Sequence, residues 1–185
     1  MEVRTAVPGD LPELLRIYAA AREAMKRAGN PTQWGDHRPS RETLEEDIRQ
    51  KDLFLMLEDG RAVGAFVFRP GPEAAYEAIR GEWLDQRPYW VIHRVASDGT
   101  ARGILDRCLA FCGTVTGSLK IDTHRDNRIM QHLLERHGFL SCGEILAEDG
   151  TPRIAYQRIE GTKKQPRPQK EQGCRINRRN RYRGR

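Results

Sequence analysis

The sequence predicts a mixed α/β domain over residues 1–160 and a short basic tail over residues 161–185. β-rich apolar runs alternate with stretches of helical periodicity, which is typical of an α/β domain. Two of these runs, Leu53–Leu57 and Ala62–Phe68, are joined by an Asp-Gly pair, which predicts a hairpin of antiparallel strands. With 185 residues, of which 38% are hydrophobic, the chain can form one core, and a two-domain enzyme is not expected.

The elements of the first half are predicted from turn residues and apolar spacing. Asp10 precedes apolar residues at three- and four-residue steps and is expected to cap the first helix. Ser40 begins a second helix, which has acidic residues in its opening turns. Residues 70–88 are rich in Gly and Pro and predict a loop, with a helical turn near Ala74–Ile79. The other elements expected here are a strand at 2–7, helices at 11–27 and 40–50, and the two hairpin strands.

The second half predicts two strand–helix units and a final pair of strands. Asp126 or Asn127 is expected to cap the last helix, and Gly138 is expected to end it. The expected elements are a strand at 89–96, a helix at 101–115, a strand at 119–123, a helix at 127–137, and strands at 139–146 and 154–159. The complete order is β-α-α-β-β-β-α-β-α-β-β.

The net charge of +6 is concentrated at one end of the chain. Residues 161–185 contain ten Lys or Arg and one Glu, so this tail carries +9 and leaves −3 for residues 1–160. The charge of the domain therefore gives no reason to expect nucleic-acid binding by it. The tail lacks apolar periodicity and is expected to be disordered. It is either an arm for weak binding of RNA, DNA or another acidic surface, with Tyr182 stacking on a base, or an incidental extension.

Membrane and disulfide-rich classes are not expected. The apolar runs are far shorter than the roughly 20 residues of a membrane helix, and Met1–Val7 has no secretory pattern. A cytoplasmic protein is expected. The four cysteines do not suggest a disulfide framework in a chain of this length. Cys108 and Cys112 lie one helical turn apart and are interpreted as small buried apolar residues.

The turn Asp98–Gly103, between a predicted strand and a predicted helix, could bind an anion. The first N–H groups of a helix are unpaired, and a glycine lets a phosphate approach the main chain. The simpler interpretation is that the glycine is required only by the conformation of the turn. The chain contains neither G-x-x-x-x-G-K-[ST] nor G-x-G-x-x-G, the common nucleotide-binding motifs.

Two segments, together with the order of elements, resemble the GNAT superfamily of acetyl-CoA-dependent N-acetyltransferases over residues 2–159. Residues 95–104, Val-Ala-Ser-Asp-Gly-Thr-Ala-Arg-Gly-Ile, resemble its pyrophosphate loop. Residues 127–139 resemble its Asn-to-Gly-Phe segment. The resemblance implies a mostly antiparallel sheet flanked by helices, with acetyl-CoA as co-substrate. The residues it implies around the cofactor are Val95, Ala96, Thr100, Ala101, Arg102, Gly103, Ile104, Asn127 and Arg136.

The chain departs from the family pattern at three positions. Thr100 stands where Gln or Arg is usual, and Leu105 stands where a second small residue is usual. Leu134 occupies the position of the frequent general-acid Tyr and cannot donate a proton. Tyr156 and Cys142 are alternative acids.

His93 is the candidate general base, because it precedes Val95 on the predicted central strand and histidine titrates near neutral pH. A structural histidine bonded to a carbonyl is the alternative. Asp122, His124 and Asp126 crowd the next strand end, but such groups are common at polar strand ends and no metal is expected. Gln33 and Trp34 lie where the family builds its acceptor pocket, although Trp34 could also cover the core. Trp83, Tyr89 and Trp90 could either line the pocket or pack in the core.

The sequence therefore predicts an N-acetyltransferase that acts on a primary amine of a small molecule by direct attack in a ternary complex. The alternative is a non-catalytic acyl-CoA-binding module whose basic tail docks to nucleic acid. A third hypothesis is acetylation of a protein N-terminus or lysine. A homodimer that forms through an exposed edge strand is a further hypothesis.

Overall fold

The computed structural model describes residues 1–147 and 149–160. The basic tail, on which the nucleic-acid hypothesis depends, lies outside the described residues. The helices are α1 (Leu11–Arg27), α2 (Arg41–Arg49), α3 (Ala74–Glu77), α4 (Ile104–Gly113) and α5 (Arg128–Arg136). The strands are β1 (Glu2–Thr5), β2 (Leu53–Glu58), β3 (Arg61–Pro70), β4 (Arg80–Gly81), β5 (Trp90–Ser97), β6 (Ser118–Thr123), β7 (Leu140–Leu146) and β8 (Pro152–Ile159).

The described strands form one mixed sheet in the order β1-β2-β3-β5-β6-β8-β7-β4. Neighbouring strands are antiparallel, except that β5 and β6 run parallel. The hairpin prediction is confirmed, with Asp59 and Gly60 both at positive φ in the turn. The mixed α/β fold with a mostly antiparallel sheet is therefore confirmed.

The two parallel strands separate along their length. β5 and β6 are paired from Trp90 and Leu119 to Ile92 and Ile121, and then the pairing ends. β5 nevertheless continues to pair with β3 as far as Ser97. Beyond Ile92, the edge of β5 that faces β6 therefore has no strand partner in the described part of the chain. The result is a cleft within the sheet.

A β-bulge lies at the start of this cleft. The register between β3 and β5 shifts, so that Arg94 and Val95 together stand opposite Phe66. Arg94 has φ +50, a left-handed conformation that costs a non-glycine residue about 1–2 kcal/mol. The Tyr18 hydroxyl donates to the Arg94 carbonyl at 3.0 Å, and both Asp47 oxygens accept from the Arg94 guanidinium at 2.6 Å. These contacts hold the bulge in place.

Helices and one irregular segment cover the two faces of the sheet. α4 and α5 pack on one face, where Cys108, Cys112 and Leu134 are fully buried. α1 and α2 pack on part of the other face. Residues 71–89, which we call the cap, cover the rest of that face and bury Tyr76 and Trp83. The cap contains α3, at the helical turn expected near Ala74–Ile79, and β4, which the sequence pattern did not predict.

Several boundaries and one cap differ from the prediction. The first strand ends at Thr5, and a short 3-10 helix follows at Pro8–Asp10. Asp10 precedes α1, but its carboxylate accepts from the Val7 N–H and from Arg4 instead of capping α1. α4 begins at Ile104 because Gly103, at φ +70, forms its N-cap. By contrast, Ser40 stands at the beginning of α2 as predicted, and it is the N-cap, with Oγ accepting from the Thr43 N–H at 3.2 Å.

Two expectations from composition can be checked. In residues 1–147 and 149–160, no helix is long and apolar enough to cross a membrane. Cys108 and Cys112 are free and buried, as interpreted from their spacing. Cys142 is also free and buried.

We predict that Asp47→Asn destabilises the fold by about 2–3 kcal/mol, because it leaves a largely buried guanidinium without its counter-charge. Asp47 and Arg94 have side-chain exposures of only 7% and 23%. Urea unfolding at neutral pH measures the change. Glu45→Gln on the same helix removes an exposed pair with Arg41 and should cost less than about 0.5 kcal/mol. Equal effects for the two variants would contradict this role of Asp47.

Candidate active site

The cleft between β5 and β6 opens into a cavity of about 950 Å³. The ends of the two strands supply His93, Ala96 and Asp122, and the beginning of α5 supplies Asn127. The loop between α1 and α2 supplies Trp34. This volume is in the range of small-molecule and cofactor sites.

His93 is the central titratable side chain of the cavity. Its Nε2 lies 2.9 Å from both carboxylate oxygens of Glu73. The Arg69 guanidinium donates to the same carboxylate at 2.7 Å. Burial raises the pKa of Glu73, but hydrogen bonds and charge from His93 and Arg69 outweigh it and lower that pKa to about 2. Glu73 is therefore ionised at neutral pH.

This pairing determines which nitrogen of His93 can accept a proton. An ionised carboxylate only accepts hydrogen bonds, so Nε2 carries the hydrogen that it donates to Glu73. In the neutral ring the lone pair then lies on Nδ1, which is 3.9 Å from Asp122 Oδ1. The Tyr76 hydroxyl donates to that same Asp122 oxygen at 2.6 Å. The ring is thus held on one side by Glu73 and faces a second carboxylate on the other.

Glu73 is the main functional residue that the sequence did not reveal. It lies in the segment interpreted as a loop, 20 residues before its partner His93. It occupies the N-cap position of α3, but its side chain makes no capping bond and instead reaches the sheet. The available signal was weak: one acidic residue after Gly71-Pro72 and before a helical turn.

Two contacts bridge the cavity from the loop that follows α1. Gln33 Oε1 accepts from Asn127 Nδ2 at 3.1 Å and from Asn30 Nδ2 at 2.8 Å. Arg38 forms an ion pair with Asp149, in the turn between β7 and β8. Burial raises the pKa of Asp149, but hydrogen bonds from Thr151, the charge of Arg153 and a hydrogen bond from Arg38 lower it to about 2. Two pairs of side chains therefore bridge the cavity.

The turn between β5 and α4 is internally bonded. Asp98 Oδ1 accepts from both the N–H and the hydroxyl of Thr100, at 2.9 and 2.6 Å. Asp98 Oδ2 accepts from Arg16 at 2.7 Å. The first intrahelical bond of α4 runs from the Arg107 N–H to the Gly103 carbonyl. The N–H groups of residues 104–106 come before this bond and therefore have no acceptor within the helix. This geometry favours an anion at the beginning of α4.

The structure brings six of the predicted site residues together around the cavity. They are Gln33, Trp34, His93, Val95, Ala96 and Asn127. Trp34 fits both of its interpretations, since it lines the cavity and also packs edge-on against Tyr18 at 5.7 Å. Asn127 caps α5, with its Oδ1 accepting from the Met130 N–H at 3.1 Å.

Other predicted residues lie outside the lining of this cavity. Thr100, Ala101, Arg102, Gly103 and Ile104 form the adjacent turn, and the Thr100 N–H is already bonded to Asp98. Arg136 lines a separate cavity of about 530 Å³ beside the beginning of β6, at the other end of that strand. This position does not support its predicted contact with the cofactor near the thioester.

The alternative acids and aromatic residues pack in the protein interior. Tyr156, on β8, and Leu134, on α5, are buried in the core between the helices and the sheet, and Cys142 is buried beneath the cap. None of the three is among the residues that line the cavity. Trp83 and Tyr89 pack within the cap, and Trp90 packs on Phe68 with ring centroids 4.6 Å apart.

The polar side chains at the end of β6 contact several different partners. Asp122 bonds to Tyr76, while His124 Nδ1 lies 3.4 Å from Asp126. Within residues 1–147 and 149–160, no group of three His, Cys, Asp or Glu side chains is placed to hold a metal ion.

Known structures with a similar fold include acetyltransferases of the GNAT family. A GNAT-family acetyltransferase from Streptococcus agalactiae is 29% identical, with a TM-score of 0.77 over 87% of this chain and 96% of that chain. A ribosomal-protein-alanine N-acetyltransferase from Brucella melitensis is 21% identical, with a TM-score of 0.56 over 86% and 99%. An agmatine N-acetyltransferase is 15% identical, with a TM-score of 0.58 over 85% and 98%. No family model and no curated protein matches the sequence.

We predict that Glu73→Gln makes the stability of the protein less sensitive to acid. The lowered pKa of Glu73 means that its stabilising effect is complete above about pH 4.5 and is lost as the pH falls towards 2. Between pH 5 and pH 3 the wild type should lose roughly 1–2 kcal/mol more than the variant, as measured by urea unfolding. The control variant Glu77→Gln, at an exposed position on α3, should show the same pH dependence of stability as the wild type. Identical pH dependence of wild type and Glu73→Gln would contradict the Glu73–His93 bond.

Proposed function

This chain is a GNAT-superfamily protein, and we propose that it is an N-acetyltransferase that transfers the acetyl group of acetyl-CoA to a primary amine of a small molecule. The observation that carries the proposal is the His93–Glu73 pair within the cleft where β5 and β6 separate. This arrangement provides a proton acceptor beside an unpaired strand edge.

The residues around the cleft fit acetyl-CoA in two respects. The free edge of β5 beyond Ile92 can bond the amides of the pantetheine arm, as an added strand would. The beginning of α4, with Gly103 in a left-handed conformation, suits the pyrophosphate. Acetyl-CoA supplies an activated thioester, and the contribution of the chain is to orient the two reactants and to accept a proton.

His93 would take the proton of the attacking amine. A primary amine has a pKa near 10 and is mostly protonated at neutral pH, so it must lose a proton before it attacks. Nδ1 of His93 faces Asp122, which can attract the ammonium form. The amine proton then passes to Nδ1 while Glu73 stabilises the imidazolium through Nε2.

The buried Leu134 does not prevent this reaction. A thiol has a pKa of about 8.5, so the thiolate leaves without full protonation. The imidazolium of His93, in the same cavity, can then return a proton to it. Direct attack forms the C–N bond and breaks the C–S bond. The second proton of the amine leaves the nitrogen as the C–S bond breaks and passes to water, and no covalent enzyme intermediate is needed.

The two bridging contacts favour a small acceptor over a protein. Gln33 bonds to Asn127 and Arg38 pairs with Asp149, so an extended polypeptide would have to displace them. The acceptor therefore enters the cavity beside Trp34, whose ring can stack on a cation.

The test is thiol release from acetyl-CoA, with calorimetric titration of acetyl-CoA in parallel. Agmatine and spermidine serve as small amines, and a peptide with an N-terminal alanine serves as a polypeptide acceptor. We expect binding of acetyl-CoA and release with a small amine. Release with the peptide alone would contradict the small-molecule assignment. Binding without release on any acceptor would favour a non-catalytic acyl-CoA-binding module.

We predict that His93→Ala lowers kcat by about 10²- to 10⁴-fold across pH 6–9, because it removes the proton acceptor. The KM for acetyl-CoA should change little. His132→Ala, an exposed position on α5, is the matched control and should keep wild-type kinetics. Full activity of His93→Ala over this pH range would exclude His93 as the base.

We also predict that Gly103→Ala weakens acetyl-CoA binding about tenfold. A Cβ at φ +70 lets the free turn relax to another conformation, and binding must then restore the original one at a cost of about 1–2 kcal/mol. Calorimetric titration measures the affinity. Gly113→Ala, at the other end of α4, has no positive φ and no heavy atom within 4 Å of the added Cβ, so it should bind normally. Unchanged binding by Gly103→Ala would place the pyrophosphate elsewhere.

A further inference from the structure

Lys120 lies beneath the cap in the middle of β6 and is only 4% exposed. Its Nζ is 3.6 Å from the centroid of the Tyr89 ring and 3.8 Å from the centroid of the Trp83 ring. An ammonium attracts the faces of aromatic rings, and the attraction is strongest where water is excluded. Lys120 therefore holds two aromatic side chains of the cap against the sheet.

The first of these side chains leads to Glu73. The Tyr89 hydroxyl accepts from the backbone N–H of Glu73 at 3.3 Å. The Tyr89 ring also lies against Gly71, where an added Cβ would come within 2.5 Å of it. Glu73 in turn bonds to Nε2 of His93 at 2.9 Å. A continuous set of contacts thus joins Lys120 to one side of the His93 ring.

The second aromatic side chain leads to the other side of the same ring. Trp83 stacks on Tyr76, with ring centroids 5.5 Å apart, and its Nε1 donates to the Tyr76 carbonyl at 2.9 Å. The Tyr76 hydroxyl donates to Asp122 Oδ1, which lies 3.9 Å from His93 Nδ1. Contacts that begin at the Lys120 ammonium therefore extend to both carboxylates beside His93.

We propose that Lys120 is a positioning residue for the transfer reaction, holding through Tyr89 and Trp83 the two carboxylates that orient His93. The relevance to catalysis rests on the proposed function, whereas the orientation of His93 can be measured without any substrate. Lys120 itself touches no reacting atom.

The surroundings of Lys120 make its charge sensitive to pH. Asp85, from the cap, and Cys142, on β7, are the charged or titratable groups that raise its pKa, and Gln157 pairs with it on β8. Asp122 follows two residues later on the same strand. Burial outweighs these effects and lowers the pKa of Lys120 to about 8. The ammonium, and with it the attraction for the two rings, is lost as the pH rises through that value.

The test compares Lys120→Met, which keeps the length but removes the charge, with Lys120→Arg, which keeps a charge at all accessible pH values. Thiol release gives kcat and KM against pH, and NMR of the His93 imidazole reports its bond to Glu73. We expect Lys120→Met to lower kcat about tenfold with an unchanged KM for acetyl-CoA, and to weaken the Nε2–H signal. Lys120→Arg should keep this signal above pH 8, where the wild type loses it. The exposed Lys51→Met is the control.

Two results would overturn the proposal. One is a wild-type imidazole signal in Lys120→Met at neutral pH. The other is the same alkaline loss of signal in Lys120→Arg as in the wild type. If Lys120→Met does not fold, the comparison of Lys120→Arg with the wild type above pH 8 still decides the question. If no amine is acetylated, the proposed function fails, while the NMR comparison still tests the role of Lys120.

Discussion

The separation of β5 from β6 is the constraint on which the remaining structure depends. Two adjacent parallel strands would normally continue their ladder, but here the pairing stops at Ile92 and Ile121. The unpaired backbone of β5 is exposed to a cavity in the centre of the sheet. A sheet that remained closed would have no room for a substrate between these strands.

The bulge that accompanies this separation needs support from distant parts of the chain. The positive φ of Arg94 is unfavourable, and its guanidinium is largely buried. Asp47 from α2 pairs with its guanidinium, and Tyr18 from α1 donates to its carbonyl. The cap performs the corresponding task on the other side of the cleft, because it brings Glu73 and Tyr76 to the two strand ends. The cleft is thus held between the helical layer and the cap.

Local patterns in the sequence were sufficient to predict most of the fold. The Asp-Gly hairpin, the beginning of α2 at Ser40 and the strand–turn–helix around Gly103 each depend on a few adjacent residues, and the structure reproduces them. His93 and Asn127 could be placed at the cavity through the resemblance to a known superfamily. Arg136 could not, because its position at the far end of α5 depends on helix length and direction as well as on spacing.

Glu73 and Lys120 were not predicted for a physical reason. Each acts through partners that are distant in the sequence, and the cap has no apolar periodicity from which its docking could be inferred. A carboxylate in a Gly- and Pro-rich segment resembles a solvated loop residue, and a lysine within a strand resembles an exposed position. Only the packed arrangement shows that burial and aromatic contacts change their chemistry.

A crystal structure with acetyl-CoA bound would show where the cofactor lies relative to the cleft. We expect the pantetheine arm to lie along the edge of β5 beyond Ile92, with the thioester within reach of His93 Nδ1 directly or through one water molecule. A thioester outside the cleft, or one separated from His93 by the closed strands β5 and β6, would contradict it.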